Sequence, residues 1–212
     1  MATATRAVAG ASRSSSVTAE DVLRAAGHIV ETRGIDALTM RGLAEDLGVA
    51  VTSIYWHVGN RDALLDGLVD RLLDRMETLV ADGVTPAARI ASLARQLRRT
   101  LLDRQHLVAL AHERGRAPAM FLPVQRAMAT ELASAGVDGP DAALALRSLQ
   151  VHVISSVLME RAGSRSSVRS GPDTASPDHP DRDLIATPSN PADYATVFEF
   201  GLDALLRRIM EP

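Results

Sequence analysis

The chain has 212 residues and no cysteine, and its 23 basic and 26 acidic side chains leave a net charge of −3. Every basic residue is arginine, Ala and Leu fill 34 and 26 positions, and aromatic residues make up only 3%. This composition excludes a disulfide framework and a thiolate metal site, offers no bulk attraction to nucleic acid, and predicts an all-α protein, because helix formers abound and strand formers are scarce.

The opening segment, residues 1–17, holds Ala, Ser and Arg with no acid before Glu20 and no apolar core of a secretory signal; it reads as a disordered tail. Thr18-Ala19-Glu20-Asp21 reads as a helix N-cap with an acid at the third position. Val22, Leu23, Ala26, Ile29 and Val30 follow at helical spacing, and Gly34 supplies a stop. A short helix is expected from about Thr39 to Leu47, broken by Gly48, and another from Val51 to Val58. Asn60 is expected to cap a long helix running to about Asp82, with an apolar stripe from Leu64 to Leu79. Beyond Pro86 the pattern predicts a helix through Ile90, Leu93, Leu97 and Leu101, a short one at Leu107–Ala111, and one through Val124, Met128 and Leu132. A long helix from about Pro140 to Ala162 follows. Residues 163–190 hold six Ser, four Pro and no aromatic residue, so they read as a flexible loop. A final helix is expected from about Pro191 to Ile209. No uncharged apolar run approaches the roughly 20 residues of a membrane span, so no membrane partner is expected and the location is taken as cytoplasmic.

The informative stretch is Thr39 to Leu65. Two short helices joined across Leu47-Gly48-Val49 and packed on a preceding amphipathic helix make a helix-turn-helix. Ala44, Leu47, Val49 and Ile54 are spaced to bury and hold the pair, leaving Val51, Thr52 and Ser53 outward at the start of the second helix. Such corners also occur in ordinary bundles, and spacing alone leaves both readings open. The cluster Tyr55-Trp56-His57 favours DNA, since Tyr, His, Thr and Ser can all bond phosphates.

Leu38-Thr39-Met40-Arg41, Leu43-Ala44, Leu47-Gly48-Val49, Ile54-Tyr55-Trp56-His57-Val58, Asn60-Arg61 and Ala63-Leu64-Leu65 together resemble the TetR (tetracycline repressor-like) family of transcriptional regulators. The resemblance implies an N-terminal three-helix DNA-binding domain over residues 18–65. It implies a C-terminal helical ligand-binding and dimerisation domain over residues 66–212. By matching position, Val51 and Thr52 are implied to read bases, Tyr55 to pack on base or backbone, and Arg41 to reach a base edge. Ser53, His57 and Arg61 match phosphate-contacting positions. Trp56 and Val58 are assigned to packing. Arg6 and Arg13 of the tail are left as solvated residues.

The long helix Pro140–Ala162 and the final helix, with Phe198-Glu199-Phe200-Gly201-Leu202, fill the family's dimerisation places, and paired recognition helices require a homodimer on DNA. For the effector, Leu97, Leu110, His112, Phe121, Val124 and Met128 are the candidate pocket residues. His112 is spaced from Gly136 like a metal-ligating His of the tetracycline repressors, yet Gly115 and the loose match at Glu160 argue against it. No metal and no cofactor is expected.

The expected function is a dimeric repressor that binds a palindromic double-stranded DNA operator and is released by a small-molecule effector, through movement of the Asn60 helix. An effector-independent DNA-binding regulator and an all-helical enzyme are the alternatives, the latter disfavoured because no catalytic constellation is present. Charge placement supports DNA binding better than net charge does. Thr18–Arg61 carries four arginines and six acids, yet Val51–Arg61 holds no carboxylate.

Overall fold

The structure, a computed structural model, describes residues 17–169 and 191–211. Nine α-helices and no strand occur among the described residues. They divide into two compact units, the first ending at Gly67 and the second starting at Leu68.

In the first unit, α1 spans Ala19–Arg33. Its start is a full capping box: the Asp21 amide donates to Thr18 Oγ1 (3.2 Å), and the Thr18 amide donates to Asp21 Oδ2 (3.0 Å). Gly34 ends it at φ 84°, and a 3₁₀ turn at Ile35–Ala37 leads on. Helix α2 covers Met40–Leu47 and α3 covers Val51–Val58, joined through Gly48 in the left-handed conformation (φ 67°), which a side chain would strain. Val22, Ala26, Ile29, Val30, Leu43, Ala44 and Ile54 form the core, to which Leu64 and Leu65 of α4 (Arg61–Glu77) add. Gly67 lets α4 come close to α1, because a Cβ there would meet Leu23 Cδ2 at 2.9 Å.

Of the four residues expected to lock the two short helices, Ala44 and Ile54 are buried, whereas Leu47 and Val49 are only half-buried. Those two sit at the edge of the turn, where one side faces solvent.

The second unit contains the end of α4 and then α5 (Pro86–Asp103), α6 (Gln105–Glu113), α7 (Ala117–Ser134), α8 (Gly139–Arg169) and α9 (Pro191–Met210). Helix α5 is central, lying against α6, α7, α8 and α9, and α8 packs along α9. Helix α4 stops at Glu77 rather than near Asp82. Thr78 Oγ1 bonds back to the Arg75 carbonyl (2.8 Å), and the Gln96 side chain takes over the Val80 backbone at both its amide (3.4 Å) and its carbonyl (2.7 Å). A tertiary clamp thus replaces the helical ladder. Helix α7 carries Pro123 in its interior.

Helix α8 runs on to Arg169, through Gly163 where a loop was expected to begin. Gly163 is the point where α9 comes closest, since a Cβ there would collide with the Tyr194 hydroxyl. The rest of that expected loop, residues 170–190, and residues 1–16 with Arg6 and Arg13 lie outside the described residues. A similar close approach occurs at Gly201. His152 of α8 stacks on Phe198 of α9 (centroids 5.1 Å, planes 10° apart) and donates from Nε2 to the Phe198 carbonyl (2.9 Å), so a methyl on Gly201 would strike the imidazole.

Ion pairs from α5 tie it to α8 and α9. Arg95 of α5 grips Glu199 of α9 through Nε (2.9 and 3.0 Å) and Nη2 (2.7 Å), and this hydrogen bonding raises the Arg95 pKa further. Arg98 pairs with Glu160 of α8, with side chains only 12% and 15% exposed, and its guanidinium lies 4.9 Å from the Phe198 ring centre.

By length and apolar composition alone, Gly139–Ser164 of α8 would suffice to cross a bilayer, and 22% of the relevant segment is buried. One face of α8 packs inward through Ala145, Leu149, Val153 and Val157. On another, Leu144, Val151 and Leu158 recur every seven residues and stand exposed, as do Val197 and Phe200 (75%) on α9.

Candidate nucleic-acid interface and binding groove

Helix α3 has eight residues and one fully buried side chain, Ile54. At 100° per residue, Tyr55 sits a quarter-turn from Ile54 and Trp56 sits about 200° away, on the side opposite the core. Accordingly Tyr55 is 48% exposed and Trp56 81% exposed. This corrects the expectation that Trp56 packs the domain: a helix anchored at Ile54 has no inward direction left for it. Trp56 instead meets the His57 ring edge-on (centroids 4.7 Å, planes 80° apart).

The remaining sequence-derived positions fall around this helix. Thr52 is exposed, and Val51, Ser53 and His57 are half-buried. The Ala50 N-cap gives no side-chain hydrogen bond, the Ser53 amide donates to the Ala50 carbonyl (2.9 Å), and no carboxylate lies in the first turn of α3. Arg41 projects from α2 almost fully into solvent, and its Nε holds Glu45 (2.9 Å) one turn on. Arg61 is exposed at the start of α4, where Nε donates to the Leu38 carbonyl (3.4 Å) and Nη2 to the Ile35 carbonyl (3.3 Å). Those two bonds tie α4 to the 3₁₀ turn. The Asn60 side chain caps the same helix by accepting from the Ala63 amide (2.8 Å).

In the second unit, α6, α7 and α8 with Leu101 of α5 enclose a half-open groove of about 300 Å³. Its walls are Leu101, Val108, Ala109, His112, Phe121, Ile154, Val157, Leu158 and Arg161. Of the six residues proposed from sequence, His112 and Phe121 line it. Leu97, Val124 and Met128 instead border an adjoining void of about 10 Å³, with Phe121 between the two. Leu110 belongs to the core, 3% exposed, on neither. The α8 contributors were missed. The one signal for them is Arg161, a half-buried charge at the end of an apolar face.

His112 is exposed at the groove's rim, and its Nδ1 lies 2.8 Å from the Val108 carbonyl. A carbonyl can only accept, so Nδ1 carries the proton and Nε2 is the ring nitrogen left for other partners. Among the described residues no group of three or more His, Asp or Glu side chains could hold a metal ion.

Residues 16–68 match the family profile described as bacterial regulatory proteins, tetR family. An HTH-type transcriptional repressor of Mycobacterium tuberculosis is 30% identical over 211 residues, covering 90% of this chain and 79% of that protein. The chain belongs to the TetR family of bacterial regulatory proteins. Among solved TetR-family structures, Streptomyces coelicolor ActR in complex with actinorhodin is 27% identical with a TM-score of 0.60, covering 92% of this chain and 96% of that one. BioQ, solved with its natural double-stranded DNA operator, is 25% identical with a TM-score of 0.56, over 92% and 99% of the two chains. As a TetR-family member the chain is a DNA-binding transcriptional regulator and not an enzyme. The all-helical architecture with an N-terminal helix-turn-helix is the family's own.

Proposed function

We propose that the chain is a homodimeric repressor whose α3 enters the major groove of a palindromic operator and which a small-molecule effector releases. The observation that carries the DNA half is the outward face of α3. Thr52, Tyr55 and Trp56 stand exposed on a helix pinned by Ile54, beside exposed Arg41, with no carboxylate from Val51 to Arg61. Val51 and Thr52 at the helix start are the base-reading candidates, Arg41 reaches a guanine edge once it leaves Glu45, and Ser53, Tyr55, His57 and Arg61 hold the backbone. Bulk charge contributes little, so binding relies on hydrogen bonds, shape and dimer geometry.

The dimer reading rests on the exposed apolar stripe of Leu144, Val151 and Leu158 with Val197 and Phe200. Large apolar side chains left exposed at a regular spacing along a helix mark an association surface. A two-fold pairing of α8 and α9 with their twins sets two recognition helices about one turn of DNA apart. A protein acting on DNA in this way works in the bacterial cytoplasm.

Release is supported by the groove and by its physical link to α4. Arg116 at the start of α7 pairs with Asp70 of α4 (2.8 Å), so displacement of α7 by a bound molecule pulls on that helix. To switch the operator, an effector must favour the DNA-incompetent state by a few kcal/mol. The test is selection of bound sites from random duplexes, followed by gel shifts titrated with compounds that bind the second unit. Failure to enrich a palindrome overturns the DNA reading, and operator affinity indifferent to every bound compound overturns release. That last result would favour an effector-independent regulator.

A further inference from the structure

We infer that the groove between α6 and α8 selects small molecules with an apolar body and a single anionic group, which Arg161 holds. The inference rests on the effector reading above and adds the chemical class of the ligand. The floor of the groove is apolar, built from Leu101, Val108, Phe121 and Val157, and no carboxylate lies in its lining. Its one permanent charge is the half-buried Arg161, which has no hydrogen-bond or ion-pair partner among the described residues. The neighbouring acid in sequence, Glu160, is committed to Arg98 on the other side of α8. The protein thus supplies a positive fork at a mostly apolar wall and keeps the nearest carboxylate away from it.

A guanidinium in that setting forms its strongest contacts with a planar anion such as a carboxylate or an acidic enol, which it can bind with two parallel hydrogen bonds. A neutral ligand of the same shape leaves those donors to solvent while covering part of their access to it. The second polar group, His112, bounds the choice from the other side. Its Nδ1 is committed to the Val108 carbonyl, which leaves Nε2 as the nitrogen a ligand can meet. A second anionic group would find no further permanent cation in the lining and would lose hydration against a mostly apolar wall. The volume of about 300 Å³ fits one or two fused rings, at the small end of ligand sites.

Three probes sharing one bicycle test this on the full-length protein by calorimetry: naphthoate, the neutral acetylnaphthalene and naphthalene dicarboxylate. The expected result is naphthoate binding about tenfold or more tighter than acetylnaphthalene, the range of one charged hydrogen-bonded contact, and tighter than the dianion. Arg161→Gln removes the preference for naphthoate, and Arg161→Lys retains part of it, with thermal melts confirming the fold of both. Equal affinity for the acid and the ketone, an unchanged ratio in Arg161→Gln, or no binding by any probe overturns the inference. Gel shifts run in parallel keep the two readings separate. Naphthoate that binds through Arg161 without altering operator affinity upholds the anion site and overturns only the release mechanism.

Discussion

Gly201→Ala offers a sharp test of how α8 and α9 are joined, because helix propensity and packing make opposite demands there. Glycine inside a helix costs about 0.5–1 kcal/mol relative to alanine, so an isolated helix would gain that much from the substitution. In the folded protein the new methyl would strike His152 Cε1 and lie 3.2 Å from both ring nitrogens. That ring cannot step aside freely. It is stacked on Phe198 and bonded through Nε2 to the Phe198 carbonyl. Displacing it loses a hydrogen bond of about 1 kcal/mol and an aromatic contact of about 0.5–1.5 kcal/mol. Leaving it in place costs about 1–3 kcal/mol of overpacking. Either route costs about 2 kcal/mol against a gain below 1, so Gly201→Ala destabilises by about 1–1.5 kcal/mol. In a His152→Ala background the obstacle is gone and the same substitution stabilises by about 0.5–1 kcal/mol. Urea unfolding at one fixed protein concentration reads both values, the fixed concentration being needed because association contributes to apparent stability. A destabilisation of equal size in the two backgrounds would refute the assignment of the cost to the imidazole.

Other outcomes follow from the two units. Tyr55→Ala and Trp56→Ala weaken operator binding at least tenfold in gel shifts while changing stability by less than about 1 kcal/mol, because both side chains are solvent-facing; unchanged affinity in both would remove α3 from the interface. Glu45→Gln frees Arg41 from an exposed one-turn pair worth about 0.3–0.5 kcal/mol, so operator affinity rises about twofold and its salt dependence steepens, and a loss of affinity would contradict the competing-partner role. Arg98→Met strands Glu160 at a site only 15% exposed and costs about 3 kcal/mol, whereas the double variant Arg98→Met/Glu160→Gln recovers part of that; strict additivity in denaturation would deny the coupling. Leu144→Glu with Phe200→Glu charges the exposed apolar stripe, and sedimentation should then report monomers that no longer bind a palindromic operator; an intact dimer would place the interface elsewhere.

Local chemistry was readable wherever the determining residues are neighbours in the chain. The Thr18–Asp21 capping box, the left-handed Gly48 and the limits of α3 all depend on contacts within a few residues. What depended on partners far along the chain was not readable. The end of α4 is set by Gln96 reaching back 16 residues to Val80, which no feature of the stretch from Arg61 to Asp82 announces. Gly163 carries a breaker's propensity, yet it lies inside α8, where the Tyr194 hydroxyl occupies the space a side chain would need. The inward assignment of Trp56, made beside the family resemblance, ignores an angular offset from Ile54 that the sequence itself contains. In the groove, Phe121 is reachable from the pattern of the middle helices and His112 from its spacing to Gly136 in the family resemblance. Leu110 was not separable from them, because whether a helix face meets a cavity or a packed neighbour is decided by the placement of α8.

Pro123 bears on how such a groove can work. Lacking an amide hydrogen, it leaves the carbonyl four residues back, on Ala119, without its rung in α7. The first turn and a half of that helix, which carries Phe121 into the groove and begins beside Arg116, is therefore fastened to the remainder by fewer bonds than its length suggests. A molecule of slightly different outline can tilt this short piece at little cost, since the bond that would otherwise resist was never formed. The breadth of compounds the regulator senses is then governed less by the groove's resting shape than by the compliance of one of its walls.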